Sequence, residues 1–296
     1  MPIANLNSGR NDAPAFRSYF NLLALEALPE WSIGPSGLAF AEQMEAIRTA
    51  GYDGVQFAET PTPDQVALCR RLGLAQAGST RINQPAEAAA NAALLRDLGL
   101  ECATAHVAWG LEDDPEAFAL IEAILEASQR LAFPIYVETH RATLFQDMWR
   151  TVRLVERFPA LRFNGDFSHW YAGLEMVYGG FDMKFAFIAP VLERVRFLHG
   201  RIANPGSIQV DIGDGSAPFV DHYRRLWTAA FRGFLQSAQP GDYICFAPEL
   251  LAPRIYYART FPGPDGLPRE EGDRWTQSLL LRQIARACFD EAAKQV

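Results

Sequence analysis

The segment Phe133–Arg141 reads FPIYVETHR and changes abruptly from apolar to polar residues. A β-favouring apolar run, Ile135 to Val137, follows a helix-ending proline and is followed at once by an acid, a hydroxyl, a histidine and an arginine. This pattern predicts a buried strand with a polar carboxyl end. An unpartnered carboxylate beside an apolar layer is costly, so Glu138 requires a proton, a cation or a metal next to it.

The alternation of strand and helix recurs along the whole chain. Helical patterns separate β-favouring stretches that begin near residues 17, 54, 74, 100, 135, 161, 195 and 243. Eight βα units in roughly 250–300 residues are typical of a TIM barrel. An open doubly wound sheet is the alternative, but it usually carries a Gly-rich fingerprint after its first strand, and the sequence has none. We therefore predict an α/β protein with a (β/α)8 TIM-barrel fold.

The predicted barrel is a single domain that spans residues 1–296. It includes an irregular N-terminal arm at 1–16 and a closing C-terminal helix at 274–296. Long loops follow strands 7 and 8, at 204–218 and 253–273. The second loop is predicted to be without secondary structure, which indicates a lid or an oligomer contact.

Charge and composition indicate which classes of molecule the protein binds. The formal net charge is −8 and no run of Lys or Arg occurs, which argues against nucleic acid or an anionic membrane surface. The first residues do not resemble a secretion signal, and no apolar stretch approaches the ~20 residues of a membrane span. We expect a soluble, cytoplasmic protein that acts on a small molecule. The sequence does not determine the oligomeric state, and a homo-oligomer is one of the alternatives.

Polar residues at strand ends predict the functional site. In a TIM barrel the carboxyl ends of all strands surround one cavity, so polar side chains there converge. Four residues fit this position: Glu138, Asp166, His199 and Glu249. Three carboxylates and one imidazole suit one divalent ion, with Mn²⁺ expected first, Mg²⁺ and Co²⁺ next, and Zn²⁺ less favoured because it prefers nitrogen or sulfur. Each acid alone is equally compatible with a salt bridge or a helix cap, and His199 alone is typical of a hydrogen-bonded core histidine, but the set of four favours a metal site.

Short motifs in this chain resemble the xylose-isomerase-like TIM-barrel superfamily, and the resemblance covers nearly the whole sequence. The motifs are VETH at Val137–His140, DFSH at Asp166–His169, HGR at His199–Arg201 and PE at Pro248–Glu249. The resemblance implies that the two glutamates, Asp166 and His199 bind one metal ion and that Glu138 and Glu249 also move a proton. It further implies that His169 and Arg201 contact the substrate, although Arg201 follows the metal histidine more closely than in the epimerases of the family.

The resemblance implies a divalent-metal-dependent isomerase or epimerase of a sugar or keto-sugar. One glutamate removes the proton next to a carbonyl to give a metal-stabilised enediolate, and the other returns a proton. If the intermediate expels a β-substituent, the same residues make a lyase or dehydratase of a keto-sugar, keto-inositol or 3-keto-glycoside. A non-catalytic sugar-binding protein is the third possibility.

Four more residues near strand ends are candidate substrate contacts. They are His140, His106, Glu59 and Trp109. His140 lies two residues beyond Glu138, so its side chain is expected on the same side of the strand. Each of the four also has an ordinary interpretation as a rim or hydrogen-bonding residue.

Overall fold

A computed structural model describes residues 1–296 and shows a closed barrel of eight parallel strands surrounded by helices. The barrel strands are β1 (Ala15–Asn21), β2 (Gly54–Phe57), β3 (Ala75–Ile82), β4 (Cys102–Val107), β5 (Ile135–Glu138), β6 (Phe163–Gly165), β7 (Val195–His199) and β8 (Asp242–Ala247). Neighbours in sequence pair in parallel, and the pairing of β1 with β8 closes the ring. The predicted (β/α)8 TIM barrel is confirmed.

Helices follow the strands on the outside of the barrel. The longer ones are Phe40–Thr49, Pro63–Arg71, Pro85–Leu98, Asp114–Leu131, Met148–Arg157, Val220–Leu235 and Arg274–Ala293. Shorter helical segments are Leu22–Leu25, Ser168–Gly173, Phe181–Phe187, Ala189–Leu192 and Pro253–Ile255. None of these helices has the length and apolar character needed to cross a membrane.

Capping residues explain where several helices begin. The Thr62 hydroxyl accepts from the Gln65 amide, and the Gln65 side chain accepts from the Thr62 amide in return. Asp113 and Glu116 form the same reciprocal cap at the start of the helix Asp114–Leu131. These caps satisfy amides that have no partner within the helix, so they mark the helix starts in the sequence.

The N-terminal arm is more regular than predicted. Leu6–Asn7 forms a short antiparallel strand against the start of β8, and β1 already begins at Ala15. The amides of Asn5 and Asn7 both donate to the carboxylate of Asp242, at 2.7 Å each. The arm is ordered because it supplies partners to polar groups at the amino ends of the strands.

The loop after β8 is also not structureless, which corrects the prediction for 253–273. Thr260–Pro262 and Pro268–Glu270 form a β-hairpin around the Asp265-Gly266 turn, where Gly266 has a φ of 75°. Arg259 forms an ion pair with Glu271 beside this hairpin. Local turn chemistry and this ion pair therefore order a segment that has no apolar periodicity.

Candidate active site

Four polar side chains meet at the carboxyl end of the barrel. Glu138 is the last residue of β5, His199 is the last of β7, Asp166 follows β6 directly and Glu249 lies two residues beyond β8. One potential ligand atom from each residue lies within 4.8 Å of those of the others. Glu138, Asp166 and His199 are buried, and the Glu249 side chain is 12% exposed. The parallel strands bring together residues that are far apart in sequence.

His199 contacts both glutamates through the same ring nitrogen. Its Nδ1 is 3.5 Å from Glu138 Oε2 and 3.3 Å from Glu249 Oε2. Burial lowers the pKa of His199, but the two nearby carboxylates outweigh this effect and raise the pKa to about 10. The imidazole edge that carries Nδ1 is therefore the edge that faces negative charge.

Arg201 supplies an internal cation to the cluster. Its buried guanidinium forms an ion pair with Asp166 and lies 2.9 Å from Glu249 Oε2. Burial lowers the pKa of Arg201, whereas Asp166 and Glu249 raise it, and the net shift is upward. Burial raises the pKa of Asp166, but Arg201 and His169 hold it well below its usual range. Asp166 is consequently kept as a carboxylate.

The donor set fits a divalent cation. Two of its buried atoms, Glu138 Oε1 and His199 Nδ1, have no hydrogen-bond partner, which is uncommon and costly in a folded protein. Carboxylate oxygens and a neutral imidazole nitrogen are ordinary ligands of Mn²⁺ or Mg²⁺. Of the four side chains, Asp166 accepts the most hydrogen bonds. Its Oδ1 accepts from the Ser168 amide at 3.0 Å and from the Ser168 hydroxyl at 2.5 Å.

Three histidines form a row beside Glu138. The ring of His140 lies between those of His106 and His169, with centroid distances of 4.1 and 3.8 Å. Burial, followed by the neighbouring His169, lowers the pKa of His140 to about 2, so its ring is neutral at pH 7. The Tyr257 hydroxyl lies 3.4 Å from His140 Nε2. Tyr257 thus covers the row from the loop after β8.

Arg81 determines how His106 meets Glu138. A guanidinium can only donate, so the 3.2 Å contact of Arg81 Nη2 makes His106 Nδ1 an acceptor. In the neutral ring the proton then sits on Nε2, which lies 3.4 Å from Glu138 Oε1. His106, Glu138 and His140 also have ligand atoms within 4.8 Å of one another. In this tautomer, however, the His106 nitrogen that faces Glu138 carries a proton and has no lone pair for a metal ion.

Several solved structures have a fold similar to that of this chain. An L-ribulose 3-epimerase has a TM-score of 0.57 and 12% identity, with 95% of this chain and 97% of that chain covered. A xylose isomerase-like TIM-barrel protein from Mycobacterium smegmatis in complex with magnesium has a TM-score of 0.57 and 13% identity, with 93% and 97% covered. A probable 3-DHS dehydratase from Bacillus anthracis has a TM-score of 0.55 and 11% identity, with 91% and 97% covered.

The chain has the TIM-barrel fold of these solved structures. No protein-family model matches the sequence, and no curated protein matches it. At this low identity the solved structures establish the fold alone.

Within this TIM barrel, the predicted site residues fall into two groups. The structure brings together the following residues: Glu138, Asp166, His199, Glu249, His169, Arg201, His140 and His106. Trp109 is 53% exposed and meets the cluster only through Arg81, whose guanidinium lies 4.1 Å from its ring centroid. Glu59 is exposed and has no hydrogen bond or ion pair with the cluster. The catalytic, metal-binding and substrate roles of all these residues stay predictions.

Several residues of the site were not found from the sequence. They are Asn21, Gln56, Arg81, Asn164, Ser168 and Tyr257. Gln56 and Asn164 offered a signal, since each is a polar residue inside a short strand that is otherwise apolar. Tyr257 offered none, because its place depends on how the loop after β8 folds back over the barrel.

Proposed function

We propose that this protein is a divalent-metal-dependent isomerase or epimerase of a sugar or keto-sugar. The observation that carries the proposal is the convergence of Glu138, Asp166, His199 and Glu249 from four strand ends onto one buried point. The donor set favours Mn²⁺ or Mg²⁺ over Zn²⁺, since three of its four ligands are carboxylates. A small carbohydrate is the expected substrate, in keeping with the L-ribulose 3-epimerase that shares the fold.

Two glutamates that both approach His199 Nδ1 support a proton-transfer reaction. Glu138 and Glu249 each place an oxygen near His199 Nδ1 but come from different strands, β5 and β8. We assign one glutamate to remove the proton next to a substrate carbonyl and the other to return a proton from the opposite face. A bound divalent cation would polarise that carbonyl and make the adjacent C–H more acidic.

Other residues of the cluster would orient the substrate. His169 and Arg201 lie against Asp166 in the interior, and neutral His140 presents Nε2 toward Tyr257. Histidine and tyrosine side chains can each donate to or accept from sugar hydroxyls. We assign substrate binding to His169, Arg201 and His140. We assign to His106 the role of orienting Glu138, whose Oε1 lies 3.4 Å from His106 Nε2.

Solvent isotope exchange tests the proposed reaction. The protein with Mn²⁺ would be incubated in D₂O with a panel of ketoses and keto-sugars, and the products analysed by NMR and mass spectrometry. We expect deuterium at the carbon next to the carbonyl without loss of any substituent, and chelation of the metal should stop the exchange. Binding of a sugar with no exchange in any member of the panel would instead identify a sugar-binding protein.

The second candidate is a metal-dependent lyase or dehydratase on the same scaffold. The row of His106, His140 and His169 beside Glu138 favours it, because elimination needs an acid–base group for the leaving group in addition to the base. The shared fold of the probable 3-DHS dehydratase is consistent with this candidate. Release of water or an aglycone from a keto-inositol, keto-sugar or 3-keto-glycoside would support it over isomerisation.

A further inference from the structure

Two buried amides lie directly behind the proposed metal ligands. Gln56 is the third residue of β2 and Asn21 is the last residue of β1, and both are almost fully buried. Asn21 Nδ2 is 3.0 Å from Gln56 Oε1 and 3.2 Å from Glu249 Oε1. His199 Nε2 is 3.0 Å from the same Gln56 oxygen. The pair therefore touches two of the four proposed ligands.

The direction of every hydrogen bond in this group follows from one backbone amide. The Leu23 N–H can only donate, and it donates to Asn21 Oδ1 at 3.0 Å. The NH₂ group of Asn21 must then face Gln56 and Glu249. Since this NH₂ group donates to Gln56, the atom that receives the bond is the Gln56 carbonyl oxygen.

The same reasoning determines the tautomer of His199. A carbonyl oxygen cannot donate, so His199 Nε2 must carry the proton that it shares with Gln56 Oε1. In the neutral ring Nδ1 then bears the lone pair, and Nδ1 is the nitrogen that faces Glu138 and Glu249 without a hydrogen-bond partner. A partner on the far nitrogen of a metal-binding histidine typically fixes its tautomer and its orientation.

We propose that Gln56 is a positioning residue that holds His199 with Nδ1 directed at the metal, and that Asn21 keeps the Gln56 oxygen in place. The inference rests on the proposed metal site. The other end of Gln56 is also anchored, because its Nε2 donates to Thr104 Oγ1 at 2.9 Å and to Ser79 Oγ at 3.3 Å. These hydroxyls can reorient, so they stabilise the amide without determining which end faces His199.

The experiment compares Gln56→Met, which removes the acceptor, with Gln56→Glu, which keeps an oxygen facing His199. Mn²⁺ alone would be titrated into each purified protein, and free Mn²⁺ followed by electron paramagnetic resonance. We expect Gln56→Met to weaken Mn²⁺ binding by about 10–100-fold and Gln56→Glu to restore most of this loss. Ser79→Ala is the matched control, since it removes a contact on the donor side of Gln56 only, and it should bind Mn²⁺ like the wild type.

A second measurement reads the tautomer directly. In ¹⁵N-histidine-labelled protein loaded with diamagnetic Mg²⁺, the wild type should show a protonated Nε2 and an unprotonated Nδ1 at His199. Gln56→Met should lose this signature, and Gln56→Glu should keep it. Circular dichroism would first establish that each variant is folded.

Two results would overturn the inference: wild-type Mn²⁺ affinity in Gln56→Met, or a loss in Gln56→Glu as large as in Gln56→Met. Failure of the wild type itself to bind Mn²⁺ would instead reject the proposed metal-dependent function. In that case the solvent exchange of the His199 Nε2–H in the metal-free protein still tests the hydrogen-bond chain. Slow exchange in the wild type and faster exchange in Gln56→Met would support the chain, and equal exchange rates in the two proteins would refute it.

Discussion

Glu138 and Glu249 share one histidine, with Glu138 Oε2 and Glu249 Oε2 at 3.5 and 3.3 Å from His199 Nδ1. Burial raises the pKa of Glu138, but His199 and His106 lower it well below its usual range, so this residue is ionised. An ionised carboxylate with one unpartnered oxygen is suited to accept a proton or to bind a cation. The proposed proton transfer therefore rests on these two acids.

Replacing either acid by its amide should abolish most of the exchange activity. Glu138→Gln and Glu249→Gln keep the shape of the side chain but remove the base, and we expect the rate of deuterium exchange to fall by about 10²–10⁴-fold at saturating Mn²⁺. Glu45→Gln, an exposed glutamate of the helix Phe40–Thr49, is the control. A wild-type rate in both site variants would exclude the proposed proton transfer.

Arg81 influences Glu138 indirectly, through its hydrogen bond to His106. It donates to His106 Nδ1 at 3.2 Å and so directs Nε2–H toward Glu138. Arg81→Met should release this tautomer and lower kcat for exchange by about 10-fold, with little change in KM. Arg96→Met, at an exposed arginine, is the matched control. A change confined to KM would show that Arg81 binds substrate instead.

At the scale of elements, the ends of β7 and β8 continue to pair beyond the strands. Gly200 N–H donates to the Ala247 carbonyl at 2.7 Å, and Glu249 N–H donates to the Gly200 carbonyl at 3.3 Å. A Cβ atom on Gly200 would lie 2.2 Å from the ring of Phe246, so only glycine permits this approach. Gly200 therefore allows Arg201 and Glu249 to lie on facing strand ends.

Gly200→Ala should destabilise the protein because the Phe246 ring cannot move away freely. Trp227 packs against this ring, with centroids 5.1 Å apart. We expect a loss of about 1–3 kcal/mol in the free energy of unfolding, measured with urea. Gly173→Ala is the control, since no atom lies within 4 Å of its added Cβ. Equal stability of the two variants would contradict the proposed close approach.

At the scale of the whole molecule, the proposed metal site joins four of the eight strands, β5 to β8. The arm at Leu6–Asn7 adds contacts at the opposite end of β8. An ion held by all four side chains would connect these strands and would be lost on unfolding. Metal binding and the stability of the barrel are therefore expected to be linked.

Mn²⁺ should raise the thermal stability of the folded protein. At a free concentration 100 times the dissociation constant, a ligand specific to the folded state adds about 2.7 kcal/mol. The midpoint of thermal unfolding should therefore rise with Mn²⁺ concentration, and much less so in Glu249→Gln. Sodium chloride at matched ionic strength is the control. An unchanged midpoint at millimolar Mn²⁺ would argue against a metal site in this barrel.

The barrel and the acids at its strand ends could be predicted from the amino-acid sequence. Apolar runs such as Ile135 to Val137 bury themselves, and polar residues that follow them come to one edge because parallel strands share a direction. Helix caps such as Thr62 and Asp113 are likewise read from adjacent residues. All of these signals are local, so no knowledge of distant contacts is needed to interpret them.

The groups that partner those acids could not be predicted, because they come from distant parts of the chain. Gln56 and His199 are 143 positions apart in sequence, and Arg201 and Asp166 are 35 apart, so neither pairing has a local pattern. The position of Tyr257 over His140 depends on a hairpin loop that has no apolar periodicity. Hydrogen-bond direction, tautomer and ion pairing are set by distance and orientation, which the chain acquires only when the barrel closes.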